Sequence, residues 1–324
     1  MEQCIRFGFI GTGSITTNVM KDFHKVKGAA IGAVFSRQLK NARFFAEQHG
    51  INYYYDTIEQ MIEDRKFDIA YVALINTKHK EYALKLLHAG IPVLCEKPMT
   101  MNAADTKTLI DAARNHQVFL MEGFWTAFFK VVNDIKLAIE KGELGKIVLM
   151  QGNFLFNFVP PNYATSRLFA PDLGGGAYLD IGCYLNNFSN FILGAYPTEV
   201  ATFSQKHPMC NVDSTNVALM KYDTGTLAAL HMSMNVDGCD TFTIYGEKGR
   251  IEIDEHFWKP KRATLILQDG TRREFLDKTI GDGYEFEFAH VMECVAAGLT
   301  ESPILPLDFS FRSAEILDKM IALS

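Results

Sequence analysis

The opening of the chain constrains the fold more than any other stretch. Ile5 to Ile10 is a short apolar run, and Gly11-Thr12-Gly13-Ser14-Ile15-Thr16 follows directly, ahead of a helical stretch reaching about Val26. Strand, glycine turn and helix in this order make the nucleotide-binding turn of a doubly wound α/β sheet. The first glycine permits the tight turn, and the second lets the main chain approach a pyrophosphate. The helix N-terminus offers that anion unpaired N–H groups and a partial positive charge. Gly11, Thr12, Gly13, Ser14 and Ile15 are therefore the predicted cofactor cradle. Thr16 stands where the third position prefers Gly or Ala, which predicts slightly looser packing of helix on strand.

Alternation then continues. Strands are predicted over residues 29–35, 51–55, 68–75, 93–95 and 118–122, with helices over 39–49, 57–65, 77–88 and 103–115 between them. Gly50 and Gly90 stand as helix stops. Such alternation implies parallel βαβ units with right-handed crossovers, a Rossmann-type domain over residues 1–123. Ligands bind such sheets at the carboxyl ends of the strands. Residues just past those ends are thus the candidates for the site.

The run Ile91-Pro92-Val93-Leu94-Cys95-Glu96-Lys97-Pro98 places a charged pair at one of these ends, since Pro98 cannot continue a ladder. Lys97 is a candidate proton donor or acceptor, because a lysine withdrawn from water exchanges its proton nearer neutral pH. Glu96 lies beside it on the cofactor rim, as do Leu74, Asn76 and His79 after the preceding strand. For His79, a contact with the cofactor ribose and a helix-capping role are equally open. No second ligand stands at metal spacing around it, so no metal is expected. The second strand ends in Ser36-Arg37. An NAD site carries an acid there for the ribose 2′-OH. Arg37 instead offers a planar, always charged donor suited to a phosphate, and Ser36 adds a hydroxyl. This predicts NADP, with NAD possible.

After Gly123 the pattern changes. Residues 126–141 read as a helix. Strands are read over 147–158, 199–205, 216–222, 226–234, 242–245, 250–253 and 264–267, separated by turns such as Asp223-Thr224-Gly225 and Asp269-Gly270. Closing helices are read over 284–297 and 309–323. Few helices separate the strands, so residues 124–324 are expected to form an α+β domain with a large, mainly antiparallel open sheet. Its uncovered face is expected to pair copies into a homodimer or homotetramer. Within this domain Gly174-Gly175-Gly176 lets backbone come close to a ligand or another element. A helix comes next in which Asp180 and Tyr184 stand four apart on one face. Tyr184 is a candidate proton carrier. Aromatic residues cluster at 124, 125, 128, 129, 154, 156 and 158. Most suit a core, while Trp125 and Phe154 are candidates to line a substrate site.

Composition narrows the partners. With 48% hydrophobic and 22% charged residues and a net charge of -6, the chain has no basic stripe for nucleic acid. No apolar run reaches the ~18 residues of a membrane span, and the start of the chain lacks the regions of a secretion signal. Its 324 residues suit two domains. The six cysteines form no Cys-x-x-Cys pair, so reduced thiols and a cytoplasmic protein are expected. The partner expected is a small molecule.

Together, the glycine turn, Glu96-Lys97-Pro98 and the segment Gly174-Gly175-Gly176 through Asp180, Gly182 and Tyr184 resemble the Gfo/Idh/MocA oxidoreductases. The resemblance covers essentially the whole chain. Phe124-Trp125-Thr126 and Arg167-Leu168-Phe169 are most similar to the branch of the dimeric dihydrodiol dehydrogenases and NADP-dependent D-xylose dehydrogenases. The resemblance implies a nicotinamide cofactor and a sugar-like or diol substrate. It implies Lys97 and Tyr184 as an acid/base pair, Asp180 on a substrate hydroxyl or orienting the pair, and Arg167 on the substrate side. It also implies a cis peptide before Pro98. Many members carry His at the Tyr184 position. Ile75 stands where the family often has Pro, and Ala127 where close relatives carry Arg. Two other functions fit the same motifs: an NAD-dependent glycosidase working through transient oxidation, and a non-catalytic nicotinamide sensor.

Overall fold

The computed structural model describes residues 4–160 and 162–324. They form two compact units. The first runs to Trp125 and resumes over Gly281–Phe311; the second comprises Thr126–Ile280 and Arg312–Ser324. This differs from a single boundary after Gly123, because residues 281–311 return to the first unit.

In the first unit the elements are β1 (Ile5–Ile10), α1 (Ser14–Phe23), β2 (Ala29–Phe35), α2 (Leu39–His49), β3 (Tyr54–Tyr55), α3 (Ile58–Asp64), β4 (Ile69–Val72), α4 (Asn76–His88), β5 (Val93–Glu96), α5 (Ala103–His116) and β6 (Leu120–Gly123). The six strands are parallel, in the order β3-β2-β1-β4-β5-β6. Every residue of β4, β5 and β6 is buried, as a sheet covered on both faces requires. Gly50 ends α2 in the left-handed region at φ 66°. Asn102 caps α5 by accepting the Asp105 N–H at 2.8 Å. The strand order reverses at β1, the position where such sheets open a crevice for ligands.

A 3₁₀ turn, Trp125–Phe128, begins on the last residue of this stretch of the first unit, and α6 (Lys130–Glu140) of the second unit follows it. The single helix expected over 126–141 is thus broken at Phe129, which is extended, and Asn133 Nδ2 holds the break by donating to the Ala127 and Phe129 carbonyls. Then come β7 (Ile147–Leu155), α7 (Cys183–Leu193), β8 (Pro197–Lys206), β9 (Asp213–Tyr222), β10 (Leu227–Ser233), β11 (Phe242–Gly246), β12 (Gly249–Ile253), β13 (Arg262–Leu267) and β14 (Arg272–Leu276). The sheet order is β14-β13-β12-β11-β7-β10-β9-β8, antiparallel except where β7 meets β10. On one face Ala218, Met220, Ala228 and Leu230 are buried; on the other, Phe203, Leu219 and Leu227 are exposed. Register sets these last three on one side, with Leu219 opposite both Ala201 and Ala229.

The return to the first unit is built on α8 (Glu285–Ala296); α9 (Leu307–Ala322) closes the chain. The Phe288 ring sits against Phe7, Phe9, Phe23 and Tyr71, at 5.0–6.2 Å between centroids. It covers the sheet face that α8 crosses. Just before α8, Asp22 Oδ2 accepts the N–H groups of Asp282 and Gly283, both at 2.8 Å. Phe288 is fully buried. Phe288→Ala should therefore lower the unfolding free energy by about 3–5 kcal/mol, read by denaturant titration. A loss below about 1 kcal/mol would show that the ring is not the plug of this face.

Candidate functional site

The candidate residues fall into two groups, one in each unit. In the first, Gly11 donates its N–H to Phe35 O at 2.9 Å and adopts φ +124°. A Cβ there would overlap the Ala73 carbonyl oxygen, so only glycine fits. Around Gly13, in contrast, a Cβ would meet nothing within 4 Å. Its backbone is open on that side, and α1 starts behind it without a side-chain cap. Thr12 and Ile15 are half-buried, Gly13 and Ser14 exposed. This arrangement suits a pyrophosphate. Thr16 is fully buried and donates to Gly11 O at 3.1 Å, so its hydroxyl is satisfied and ties the helix to the turn rather than loosening it.

At the end of β2, Thr12 Oγ1 lies 3.3 Å from Ser36 Oγ. A cleft of about 300 Å³ opens beside them, lined by Ser36, Arg37, Gln38 and Asn41. Its lining holds a cation and amides and no acid, which fits a ribose 2′-phosphate. Leu74 is half-buried next to Gly11, and Asn76 opens α4. His79 is buried, with Nδ1 3.0 Å from Pro98 O and Nε2 3.1 Å from Leu74 O. It thus bridges two turns of the rim, a role that neither the ribose reading nor the capping reading named.

The Lys97–Pro98 peptide is cis. Lys97 is half-buried, and its N–H donates to Glu96 Oε2 at 3.2 Å. Tyr71 donates to Glu96 Oε1 at 2.5 Å, and Met99 N–H to Glu122 Oε1 at 3.0 Å. Burial pushes the Glu96 and Glu122 carboxyls above the ordinary range, with the Tyr71 hydrogen bond and the Lys97 charge opposing it at Glu96. Burial, with Glu96 next, raises the Tyr71 phenol well above its usual value. Sequence reasoning missed Tyr71 and Glu122. Each is a polar residue within a buried parallel strand, and that signal stands in the sequence. Trp125, expected to line a site, is 2% exposed and stacks on Tyr284 at 4.0 Å. One face of its ring is thereby covered.

In the second unit three short 3₁₀ turns, Tyr163–Thr165, Arg167–Phe169 and Pro171–Leu173, lead into the glycines. Gly176 N–H donates to Leu168 O at 2.9 Å. A Cβ on Gly175 would lie 2.6 Å from the carbonyl oxygens of both Arg167 and Leu168. At Gly176, where φ is +120°, it would overlap Asp213 Oδ1. The other Asp213 oxygen accepts Tyr178 N–H at 2.8 Å and Asn216 Nδ2 at 2.7 Å. So the glycines admit other parts of the same chain. As a result Arg167 reaches Asp180, donating Nη2 to Oδ1 at 2.9 Å.

Asp180 lies in a π turn, Tyr178–Gly182, and Tyr184 in α7 beyond it. The plain helix expected here is corrected to a π turn that runs directly into an α-helix. Gly182 accommodates the bulge, because a Cβ there would crowd Met232 Sδ at 2.7 Å. Tyr184 is 8% exposed. Its ring lies 5.9 Å from Phe154 and 6.0 Å from Trp258, and those two stack on each other at 5.7 Å. Phe156, Phe158 and Phe169 extend the wall. Trp258 was not foreseen; it lies in a turn rather than in a recognisable strand. Asp240 holds it, accepting Trp258 Nε1 at 3.2 Å and lying 2.6 Å from His256 Nδ1. Burial opposes ionisation of Asp240, but these partners outweigh it and hold the carboxyl below its usual range. Among the described residues no group of His, Cys, Asp and Glu is arranged to hold a metal ion.

Residues 5–124 match the model of the oxidoreductase family with an NAD-binding Rossmann fold, and residues 132–252 the GFO/IDH/MocA C-terminal domain. The trans-1,2-dihydrobenzene-1,2-diol dehydrogenase of Xenopus laevis is 31% identical over 98% of this chain and 97% of its own. The chain belongs to the Gfo/Idh/MocA oxidoreductase family. The mouse (Mus musculus) protein of the same name is 32% identical over 98% of this chain and 96% of its own. Among solved structures, the aldose-aldose oxidoreductase of Caulobacter crescentus complexed with glycerol superposes with a TM-score of 0.90 at 22% identity, covering 99% of this chain and 97% of that one. Of the two departures from the family, Ile75 is the extended N-cap of α4, and Ala127 is fully buried with its carbonyl on Asn133.

Gly176→Ala should cost at least about 1–3 kcal/mol of stability from backbone strain alone, measured by urea unfolding. A variant as stable as the parent would show that the loop reshapes freely around Asp213.

Proposed function

We propose that the protein is an NADP-preferring dehydrogenase or reductase acting on a CH–OH group of a sugar, polyol or diol, with Lys97 and Tyr184 as its acid/base pair. The observation that carries this reading is the placement of the glycine turn and Glu96-Lys97-Pro98 on the carboxyl edge of one parallel sheet. A bound nicotinamide supplies the hydride acceptor or donor. Gly11 to Ile15 and the first turn of α1 hold the pyrophosphate, and Ser36 with Arg37 holds the 2′-phosphate. Leu74, Asn76 and Glu96 complete the cofactor rim. Tyr184 moves the hydroxyl proton, and the Lys97 ammonium stabilises developing alkoxide charge, an effect worth a few kcal/mol, roughly 3. Asp180, held by Arg167, receives a substrate hydroxyl, and Phe154 offers an apolar wall to the ring. Relatives named for a dihydrobenzene diol support a cyclic vicinal diol as substrate.

Oligomerisation through the open sheet belongs to the same proposal. A groove of about 340 Å³ there is lined by Leu149, Ala201, Leu219, Leu227 and Ala229, among others. Among the described residues no helix is long and apolar enough to cross a membrane. All six cysteines are free, which supports a cytoplasmic location.

A screen of aldoses, inositols and vicinal diols with both cofactors, read at the reduced-nicotinamide absorbance, tests the reaction. Lys97→Ala and Tyr184→Phe should each lower kcat by about 100-fold or more, the usual worth of a general acid or base, with an unchanged circular dichroism spectrum. Near-parental turnover by either variant would remove that residue from the chemistry.

Cofactor choice has its own test. Arg37→Ala should weaken NADP binding by about 1.5–3 kcal/mol, the worth of a charge-assisted hydrogen bond, and leave NAD nearly unchanged. Equal affinity of the parent for NAD and NADP in a fluorescence titration would overturn the assignment of Ser36 and Arg37.

A further inference from the structure

A third carboxyl lies near the Lys97 strand end. Glu287 belongs to α8 and precedes Phe288, the ring that plugs the sheet face. It is 0% exposed, and neither carboxyl oxygen has a hydrogen-bond partner. Its neighbours are those of Glu96. A Cβ on Gly123 would stand 3.6 Å from Glu287 Oε2 and 3.3 Å from Glu96 Cα, so both crowd one point at the end of β6. The other titratable or charged groups at this edge are Tyr71, Cys95, Lys97, Glu122 and Tyr284. Two carboxyls in one dry pocket do not both ionise near neutral pH. Glu96 has compensation from the Tyr71 hydroxyl, the Lys97 N–H and the Lys97 charge. At Glu287 both burial and Glu96 favour the neutral form and push the carboxyl well above its ordinary range.

We propose that Glu287 is a positioning residue for the Glu96–Lys97 strand end, a neutral carboxylic acid whose protonation leaves Glu96 to carry the charge beside Lys97. Its effect on catalysis rests on the oxidoreductase reading of Lys97.

The test compares the full-length parent with Glu287→Gln, which keeps the shape and cannot ionise. An unfolded glutamate ionises near its ordinary pKa while folded Glu287 keeps its proton, so stability contributed by the neutral form is lost as pH rises. The thermal midpoint of the parent should match that of Glu287→Gln near about pH 5 and fall below it by about pH 8. In the parent, an infrared carbonyl band of a protonated glutamate, shifted by ¹³C-glutamate labelling, should be present at neutral pH and should lose intensity in Glu287→Gln. Its absence from the parent would by itself overturn the proposal, whether or not the variant folds. In turnover, Glu287→Gln should keep kcat near neutrality and move the alkaline limb of the pH profile by about half a unit or more, since the second charge no longer appears. A midpoint difference independent of pH, an absent carboxylic band or an unmoved limb would overturn the proposal. If the parent turns over no alcohol with either cofactor, the oxidoreductase reading falls, while midpoint and band still decide the charge of Glu287.

Discussion

A parallel sheet needs cover on both of its faces, and in the first unit part of that cover comes from the far end of the sequence. Phe288 fills the face formed by Phe7, Phe9 and Tyr71, and Asp22 grips the main chain at Asp282 and Gly283. Farther along, Leu120 donates its N–H to Thr300 O at 3.1 Å, and Leu307 joins the core under α4 and α5. The nucleotide-binding unit is therefore completed only when residues 281–311 arrive. Its stability depends on long-range contacts that local propensity does not supply.

Dry cover changes the meaning of every polar group at the strand ends. Tyr71, Glu96 and Glu122 are each less than a tenth exposed, so each must find a partner or stay neutral. Tyr71 and Lys97 N–H satisfy Glu96, and Met99 N–H satisfies one oxygen of Glu122. His79 lies between two carbonyls, with Nδ1 and Nε2 within hydrogen-bond distance of Pro98 O and Leu74 O. These bonds join the turns after β4, β5 and β6 into one edge. A rim built this way holds Lys97 on a fixed main chain, which its proposed role in proton transfer would require.

Much of this was legible in the sequence because it is local. The glycine turn, the alternation to Gly123, Gly50 as a helix stop and the charged end of β5 are each set by neighbours in the chain. Family membership, carried by the same motifs, is shown by both matched domains. The features that escaped are non-local or weakly patterned. β14 has one buried residue, Phe275, among charged ones, so it shows no clear alternation. The π turn before α7 depends on Gly182 facing Met232 across the unit. Trp258 acquires its place from Phe154 and Asp240, both distant in sequence. The return of α8 is invisible to periodicity, which reports that a helix has an apolar face and not which sheet it covers.

The second unit shows why a glycine run is ambiguous until its neighbours are known. Gly174 to Gly176 reads equally as a ligand's approach and as close packing, and here the close atoms belong to the chain: the carbonyls of Arg167 and Leu168 and the Asp213 carboxyl. That packing lays the arginine turn on the glycine loop and brings Arg167 onto Asp180. The pair is partly exposed, so its contribution to stability is small, about 0–1 kcal/mol. Its consequence is electrostatic. A lone Asp180 would present a negative charge, and a lone Arg167 would attract carboxylates or phosphates. Joined, they offer a polar edge with little net charge, and the same unit carries an aromatic wall of Phe154, Trp258 and Tyr184. The two together suit the proposed substrate, an uncharged ring bearing hydroxyl groups.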